Sequence, residues 1–199
     1  FSDDRNNPGD AHLCNNSSHS GSSSSHSGVF LLNNSSTQGK YAIIDDGDDL
    51  DNISFGLMNY HFDSGDVVRA GNLLYGLSTS GDLVKKDAYY DNMSNWNSIA
   101  LGTHTNLYPE RIIDIGNEVA IVASTMTSIH LLSTTDNFTS KTLIVNSYLN
   151  NIYAAYGDGK YMVCGYLPGL GVDECYFDNG TKSFTQTSSS SKVEALVYA

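Results

Sequence analysis

The sequence predicts an all-β protein built from repeated short antiparallel strands. Residues that favour helices are scarce in this chain of 199 residues, whereas Gly, Asn, Ser and Tyr are abundant. From residue 39 onward, short apolar runs alternate with Gly, Asn and Asp, a texture typical of strands and turns. Two short residue motifs, an Asp-Asn pair and a glycine followed by Asn or Asp, also recur at nearly constant spacing. Together these observations predict a sheet protein with less than about a tenth of its residues in helices.

The first 38 residues differ in composition from the rest. Residues 15–28 read NNSSHSGSSSSHSG and contain almost nothing that burial could stabilise against the entropy of ordering. We therefore predict an arm or linker over residues 1–38. The motif Ser-His-Ser-Gly occurs twice in it, and His-rich tracts of this kind can also bind metal. Residues 39–65 are interpreted as a partial repeat, because the apolar stretch 29–32 is followed by a second one at 39–44.

Two markers define the repeat. One is an Asp-Asn pair at intervals of 45 and 42 residues, at Asp91-Asn92, Asp136-Asn137 and Asp178-Asn179. The other is a glycine followed by Asn or Asp, which precedes each aspartate in step, at Gly71, Gly116 and Gly157. Each glycine stands between two apolar stretches, as expected for a tight turn between antiparallel strands.

The markers place the strands and the repeat boundaries. Strands are predicted near 66–70, 73–78, 110–115, 119–124, 128–134, 151–156, 160–166 and 172–178. Full repeats are predicted at 66–109, 110–150 and 151–192, with the start of another at 193–199. About four strands per repeat of this length is the content of a β-propeller blade. Because the chain opens on Phe1 and stops inside a repeat, we expect it to be a piece of an incomplete propeller.

The segment from Asp178 to Phe184, which reads DNGTKSF, resembles the Asp-box of sialidase-type β-propellers. Weaker copies follow Ser133 and Asp91. In that family the box is a structural hairpin turn without catalytic residues, so the resemblance implies a propeller fold and a structural role for the repeat aspartates. The family clamps a substrate carboxylate with three arginines. Arg69 and Arg111 are the only arginines in the repeat region and occupy non-equivalent positions, which argues against sialidase activity.

Charge and hydropathy exclude two classes of partner. The chain has 22 acidic and 10 basic residues, and its net charge of −12 would repel a phosphate backbone. No strictly apolar run is longer than residues 119–123, far short of the ~20 residues of a membrane-spanning helix. We therefore expect neither nucleic-acid binding nor membrane insertion.

An acidic cluster is the one candidate for a cofactor. Asp45, Asp49 and Asp51 belong to the run DDGDDLD, whose carboxylates could bind Ca²⁺. The run lacks the bidentate Glu of an EF-hand, and the alternative is a solvated acidic loop. No other cofactor is expected.

Cys164 and Cys175 are a candidate disulfide. Pro168-Gly169 lies midway between them, so a hairpin turn there would place the two cysteines opposite each other on neighbouring strands. Whether they are bonded depends on the redox compartment.

Three of the Asn-x-Ser/Thr triplets, at Asn92, Asn137 and Asn179, coincide with the repeat turns. They are candidates for glycosylation. A turn-forming role for Asn and Thr explains the same residues equally well.

The composition also suggests a function. Thirteen tyrosines on an uncharged polar background suit the binding of neutral sugars, and Asn/Ser/Thr/Tyr-rich repeat chains resemble phage tail and receptor-binding proteins. We therefore expect a non-enzymatic structural or adhesion module of a phage particle, on the virion surface or extracellular, in contact with other copies, other structural proteins or host-surface glycans. The alternatives are a secreted, glycosylated surface-fibre or glycan-binding protein and a fragment of a glycoside hydrolase.

Overall fold

The computed structural model describes residues 10–13, 26–32, 39–45, 55–87 and 94–189, and it is all-β. The strands are β1 (Asp10–Leu13), β2 (His26–Leu32), β3 (Lys40–Asp45), β4 (Gly56–Leu57), β5 (Phe62–Ala70), β6 (Leu73–Ser78), β7 (Leu83–Asp87), β8 (Asn97–Ser98), β9 (Tyr108–Asp114), β10 (Val119–Ser124), β11 (Ile129–Ser133), β12 (Thr142–Val145), β13 (Asn150–Gly157), β14 (Lys160–Leu167), β15 (Val172–Asp178) and β16 (Phe184–Ser189). The only helical element in these ranges is a 3₁₀ turn, Thr134–Asp136.

The strands form four sheets, each an antiparallel meander of four consecutive strands. The orders are β1-β2-β3-β4, β5-β6-β7-β8, β12-β11-β10-β9 and β13-β14-β15-β16. A four-stranded meander of this kind is the building block of a propeller blade. The predicted fold class, consecutive four-stranded antiparallel sheets, is therefore confirmed, and each of the eight predicted strands coincides with an observed one.

The first sheet begins earlier than the sequence pattern indicates. β1 and β2 both lie inside residues 1–38, the range predicted to be an arm, and β2 pairs with both β1 and β3. The physical reason is local, since β2 contains the apolar stretch 29–32, which the polar composition around it conceals. Residues 14–25, the most Ser-rich part of the arm, lie outside the described ranges.

The chain divides into two compact units, residues 1–99 and 100–199. In the first unit the core surrounds Trp96, whose ring lies 4.8 Å from that of Phe62 and packs with Met58 and Leu74. The side chain of Asn59 holds Trp96 in place, because its amide accepts from the Trp96 backbone N–H and donates to the Trp96 carbonyl, both at 2.9 Å.

In the second unit the core lies between two sheets. It joins apolar side chains of β9 to β12 with those of β13 to β15, namely Ile113, Ala120, Val122, Ile129, Leu131, Ile144, Ile152, Tyr161, Val163 and Tyr176, together with Leu149 of the connection between the sheets. Every residue of β10 and β11 is buried. In the described ranges no helix combines the length and apolar character needed to cross a membrane.

Candidate functional site

Five of the seven exposed large apolar side chains described in the second unit lie at one end of its two sheets, and the other two are Leu143 and Phe177. The end consists of the β10–β11 and β14–β15 connections, the connection between β12 and β13, and the starts of β9 and β13. We call it the bulged end and define it as residues 108–111, 124–129, 145–152 and 166–173. Its exposed large side chains are Tyr108, Met126, Tyr148, Tyr166 and Leu170. Met126 is 87% exposed and Leu170 70%.

Short connections and one hydrogen bond bring these segments to the same end. Tyr108 pairs with Ser124, the last residue of β10, and Tyr166 pairs with Asn150, the first residue of β13. Only four residues, 146–149, join β12 to β13, too few to return the chain to the far end of the sheet. Arg111 Nε donates to the Ile152 carbonyl at 2.6 Å and so ties β9 to β13 near both strand starts.

The register shifts of β9 to β16 all lie at or next to this end. The register shifts between Val122 and Ala123, between Ile129 and His130, and between Asn150 and Tyr153. Asn151, inside the third irregularity, has a φ of 49° in the left-handed region, which Asn tolerates better than most residues. Bulges of this kind re-aim side chains and are common beside binding sites.

The charges of the second unit are concentrated at the opposite end. The three lysines of residues 100–189 lie in or next to the β11–β12, β13–β14 and β15–β16 turns, at Lys141, Lys160 and Lys182. The charged side chains of the bulged end, Glu110, Arg111 and Asp173, are buried or half-buried. Apolar and amide groups therefore dominate the exposed surface of the bulged end.

Polar side chains of the β10–β11 connection and of His130 in β11 form a hydrogen-bonded group. Ser128 Oγ lies 2.8 Å from His130 Nε2 and 2.7 Å from Thr125 Oγ1. Burial lowers the pKa of His130, and the positive charges of Lys141 and His104 lower it further. The hydrogen bonds of Ser128 to His130 and Thr125 brace the β10–β11 connection.

Cys164 and Cys175 lie opposite each other, as expected for a hairpin that turns at Pro168-Gly169. They are directly paired across β14 and β15, their Cα atoms are 4.1 Å apart, and a disulfide joins them. Both side chains are buried. The bond clamps the two central strands of the last sheet.

Two of the three repeat aspartates lie at or near the start of corresponding connections, between the third and fourth strands of their sheets. Asp136 ends the 3₁₀ turn and accepts from the Ser140 N–H at 3.0 Å, whereas Asp178 ends β15 and accepts from the Gly180 N–H at 3.0 Å. The hydrogen bond to Ser140 lowers the pKa of Asp136. The two turns thus share a local carboxylate acceptor but differ in length. Asp91 lies outside the described ranges.

The three marker glycines play different parts, and one assignment needs correction. Gly71, with a φ of 58°, and Gly116, with a φ of 95°, lie in turns as predicted. Gly157 does not, because it is the last residue of β13 and pairs with Lys160. The turn itself is Asp158-Gly159, both with positive φ, the combination that a two-residue type I′ hairpin requires.

The remaining candidates divide between described and undescribed residues. Asp49, Asp51 and Asn92 lie outside the described ranges, as does the side chain of Asp45. Within those ranges no group of three or more His, Cys, Asp or Glu residues could hold a metal ion. Asn137 and Asn179 are both exposed.

Nothing in the repeat pattern singles out the side chains of the bulged end, because they lie in connections between the markers. The available signal was positional: Tyr148 precedes a predicted first strand, and Tyr166 and Leu170 flank the Pro168-Gly169 turn. Which of the thirteen tyrosines are exposed depends on the packing of the sheets.

No family model and no curated protein matches the chain. Among solved structures, it is similar to a chain of a nidogen/laminin complex, at 11% identity and a TM-score of 0.47, over 81% of this chain and 61% of that one. It is also similar to apo AztD from Citrobacter koseri, at 12% identity and a TM-score of 0.45, over 80% of this chain and 46% of that one. A third similar structure is the WD40 domain of SCAP from fission yeast, at 10% identity and a TM-score of 0.42, over 86% of this chain and 46% of that one. The chain therefore spans about half to three fifths of the length of these structures.

Proposed function

We propose that this chain is a non-enzymatic adhesion or structural module that binds neutral glycans through the bulged end of its second unit. The observation that carries the proposal is the coincidence of three strand irregularities with exposed aromatic side chains at one end of two adjacent sheets. The repeat aspartates keep the structural role that the sialidase-type resemblance implies.

The side chains of the bulged end suit a sugar ring. Tyr108, Tyr148 and Tyr166 offer aromatic faces for the apolar side of a pyranose, and a Tyr loses little conformational entropy on binding. The amides of Asn146, exposed in the β12–β13 connection, and Asn151 supply both donors and acceptors for hydroxyl groups.

Charge favours a neutral ligand over an acidic one. The chain carries a net charge of −12, and the one arginine of the bulged end, Arg111, already donates to the carbonyls of Ile152 and Glu110. An acidic glycan would find no exposed lysine or arginine there, so the long-range field would oppose its approach.

The setting that we propose is a particle or cell surface, where the partners are other copies of the chain, other structural proteins and host glycans. Of the two settings that the composition suggests, a secreted surface fibre gains support from the Cys164–Cys175 disulfide, because such bonds persist in oxidising compartments. A phage particle that oxidises after assembly would carry the same bond.

A glycan array followed by calorimetry tests the proposal. We expect binding to neutral oligosaccharides, and we expect Tyr148→Ala and Tyr166→Ala each to weaken it by about tenfold, the usual cost of removing a central aromatic contact. Phe177→Ala is the matched control. Phe177 lies on the same hairpin as Tyr166 and is about as exposed, but it lies away from the bulged end. Equal losses in all three variants, or no binding to any glycan, would contradict the proposal. Hydrolysis of a labelled oligosaccharide would contradict its non-enzymatic part.

A further inference from the structure

The connection between β15 and β16, residues 179–183, closes the last hairpin at the end opposite the bulged end. Asp178 pairs with Phe184 at its base, and the Asn179 N–H donates to the Ser183 carbonyl at 3.1 Å. Asn179, Gly180 and Thr181 are exposed. The turn contains the only Asn-Gly dipeptide of the chain.

Two hydrogen-bond donors of Thr181 polarise the side-chain amide of Asn179. Its Oδ1 accepts from the Thr181 backbone N–H at 3.0 Å and from Thr181 Oγ1 at 2.6 Å. Two donors on one carbonyl oxygen stabilise negative charge on it, as the donors of an oxyanion hole do. The contacts also fold the amide back over the Gly180 peptide, because Oδ1 reaches the N–H two residues ahead.

The carboxylate of Asp178 accepts a hydrogen bond from the peptide nitrogen that follows Asn179, that of Gly180. The Gly180 N–H donates to Asp178 Oδ1 at 3.0 Å. Asp178 is 4% exposed, and its other carboxylate oxygen, Oδ2, is buried with no hydrogen-bond partner in the described ranges. Gly180, with a φ of 93°, has no Cβ to obstruct an approach to the Asn179 side chain. Three consecutive residues thus supply the groups of one reaction. Asp178 supplies a proton acceptor, Asn179 a polarised side-chain carbonyl and Gly180 a backbone nitrogen.

We propose that Asn179 is a site of self-promoted deamidation. The Gly180 nitrogen forms a bond to Asn179 Cγ while Asp178 takes the proton from that nitrogen and Thr181 stabilises the charge on Oδ1. The Cγ–Nδ2 bond then breaks, and Nδ2 leaves as ammonia with the proton that Asp178 held. Water opens the resulting succinimide to aspartate or isoaspartate, so no oxidant or other reactant is needed.

The product would alter the edge of the second unit. Isoaspartate inserts one extra carbon into the backbone of the turn, and either product adds a negative charge beside Asp178. Among the described strands, β16 is the outer strand of its sheet and is paired only with β15. The modification would therefore loosen β16 with time, together with the packing of its Phe184 against the core, and leave the disulfide in place. It does not depend on the glycan-binding proposal.

Timed incubation of the purified chain at neutral pH, with peptide mass spectrometry and an isoaspartate assay, tests the inference. The protein should be produced in a bacterial periplasm, so that the disulfide forms and Asn179 Nδ2 carries no sugar. We expect ammonia loss and isoaspartate at Asn179, slowed by about tenfold in Asp178→Asn and in Thr181→Val. Thr181→Ser keeps the hydroxyl and should retain the parent rate.

Comparison with the unfolded chain separates assistance by the fold from the intrinsic reactivity of Asn-Gly. We expect the parent protein to react faster when folded than in urea, whereas Thr181→Val reacts at the same rate as the parent in urea. If Asn179 stays intact, if urea accelerates the reaction, or if Thr181→Val reacts as fast as the parent while folded, the inference is overturned. Circular dichroism confirms that each variant is folded, and Thr181→Val preserves the test should Asp178→Asn fail to fold.

Discussion

His130 illustrates how a single buried residue couples stability to pH. Its side chain is 8% exposed, Nε2 is paired with Ser128, and Nδ1 is buried without a hydrogen-bond partner in the described ranges. Burial, and then the charges of Lys141 and His104, lower its pKa from the ordinary value of 6.5. Because the neutral form is favoured in the folded state, protonation opposes folding.

We predict that the contribution of His130 to the free energy of unfolding is fully present above pH 6.5. This contribution decreases as the pH is lowered below 6.5. The sign follows from linkage, since the unfolded state binds a proton at His130 before the folded state does. Urea titrations between pH 7 and 5 measure the effect. The slope should be smaller in His130→Gln than in the parent protein. An unchanged slope in His130→Gln would show that other groups cause it.

At the scale of elements, two glycines of β-hairpins offer a clean comparison of backbone conformation. Gly159 forms the β13–β14 turn with a φ of 73°, whereas Gly169 lies in the β14–β15 connection outside the positive-φ region, and a Cβ on either would contact nothing within 4 Å. We predict that Gly159→Ala destabilises the protein by about 1 to 2 kcal/mol, the cost of a left-handed conformation for a residue with a Cβ. Gly169→Ala should be neutral or slightly stabilising. Thermal or urea unfolding of both variants provides the measurement, and equal losses would refute the assignment of the turn.

The Cys164–Cys175 bond belongs to the same scale, because it clamps β14 to β15. We predict that the double variant Cys164→Ala/Cys175→Ala is destabilised by about 2 to 3 kcal/mol, mainly through the unfolded state. Alkylation without reductant, followed by intact-mass measurement, should label only one of the three cysteines if the chain matures in an oxidising compartment. Three labelled cysteines in the native protein would indicate a reducing one.

At the scale of the whole molecule, the uneven distribution of charge predicts a dependence on ligand charge. We expect neutral oligosaccharides to bind with little change between low and high salt, because the exposed part of the bulged end carries few charges. Acidic counterparts of the same oligosaccharides should bind more weakly, and added salt should reduce the difference by screening the net charge of −12. Tighter binding of an acidic glycan at low salt would contradict the proposed site.

The order of the strands could be predicted from the sequence because the determining interactions are local. An apolar run bounded by Gly, Asn or Asp forms a strand and a turn wherever it occurs, so β6, β10 and β14 follow directly from the residues. The register of Cys164 with Cys175 follows from the position of the Pro168-Gly169 turn for the same reason. Local rules failed where two turns compete, as at Gly157, which the neighbouring Asp158-Gly159 displaces from the turn.

The candidate site depended on interactions between residues distant in sequence. Tyr108, Met126, Tyr148 and Tyr166 share an end only because two sheets pack around a common core and Arg111 ties β9 to β13. The same composition would have hidden these tyrosines in another packing. The sequence by itself determined the fold class, since strand and turn propensities act over a few residues. Only the tertiary structure decided which side chains face solvent together, since burial is a property of the packed sheets.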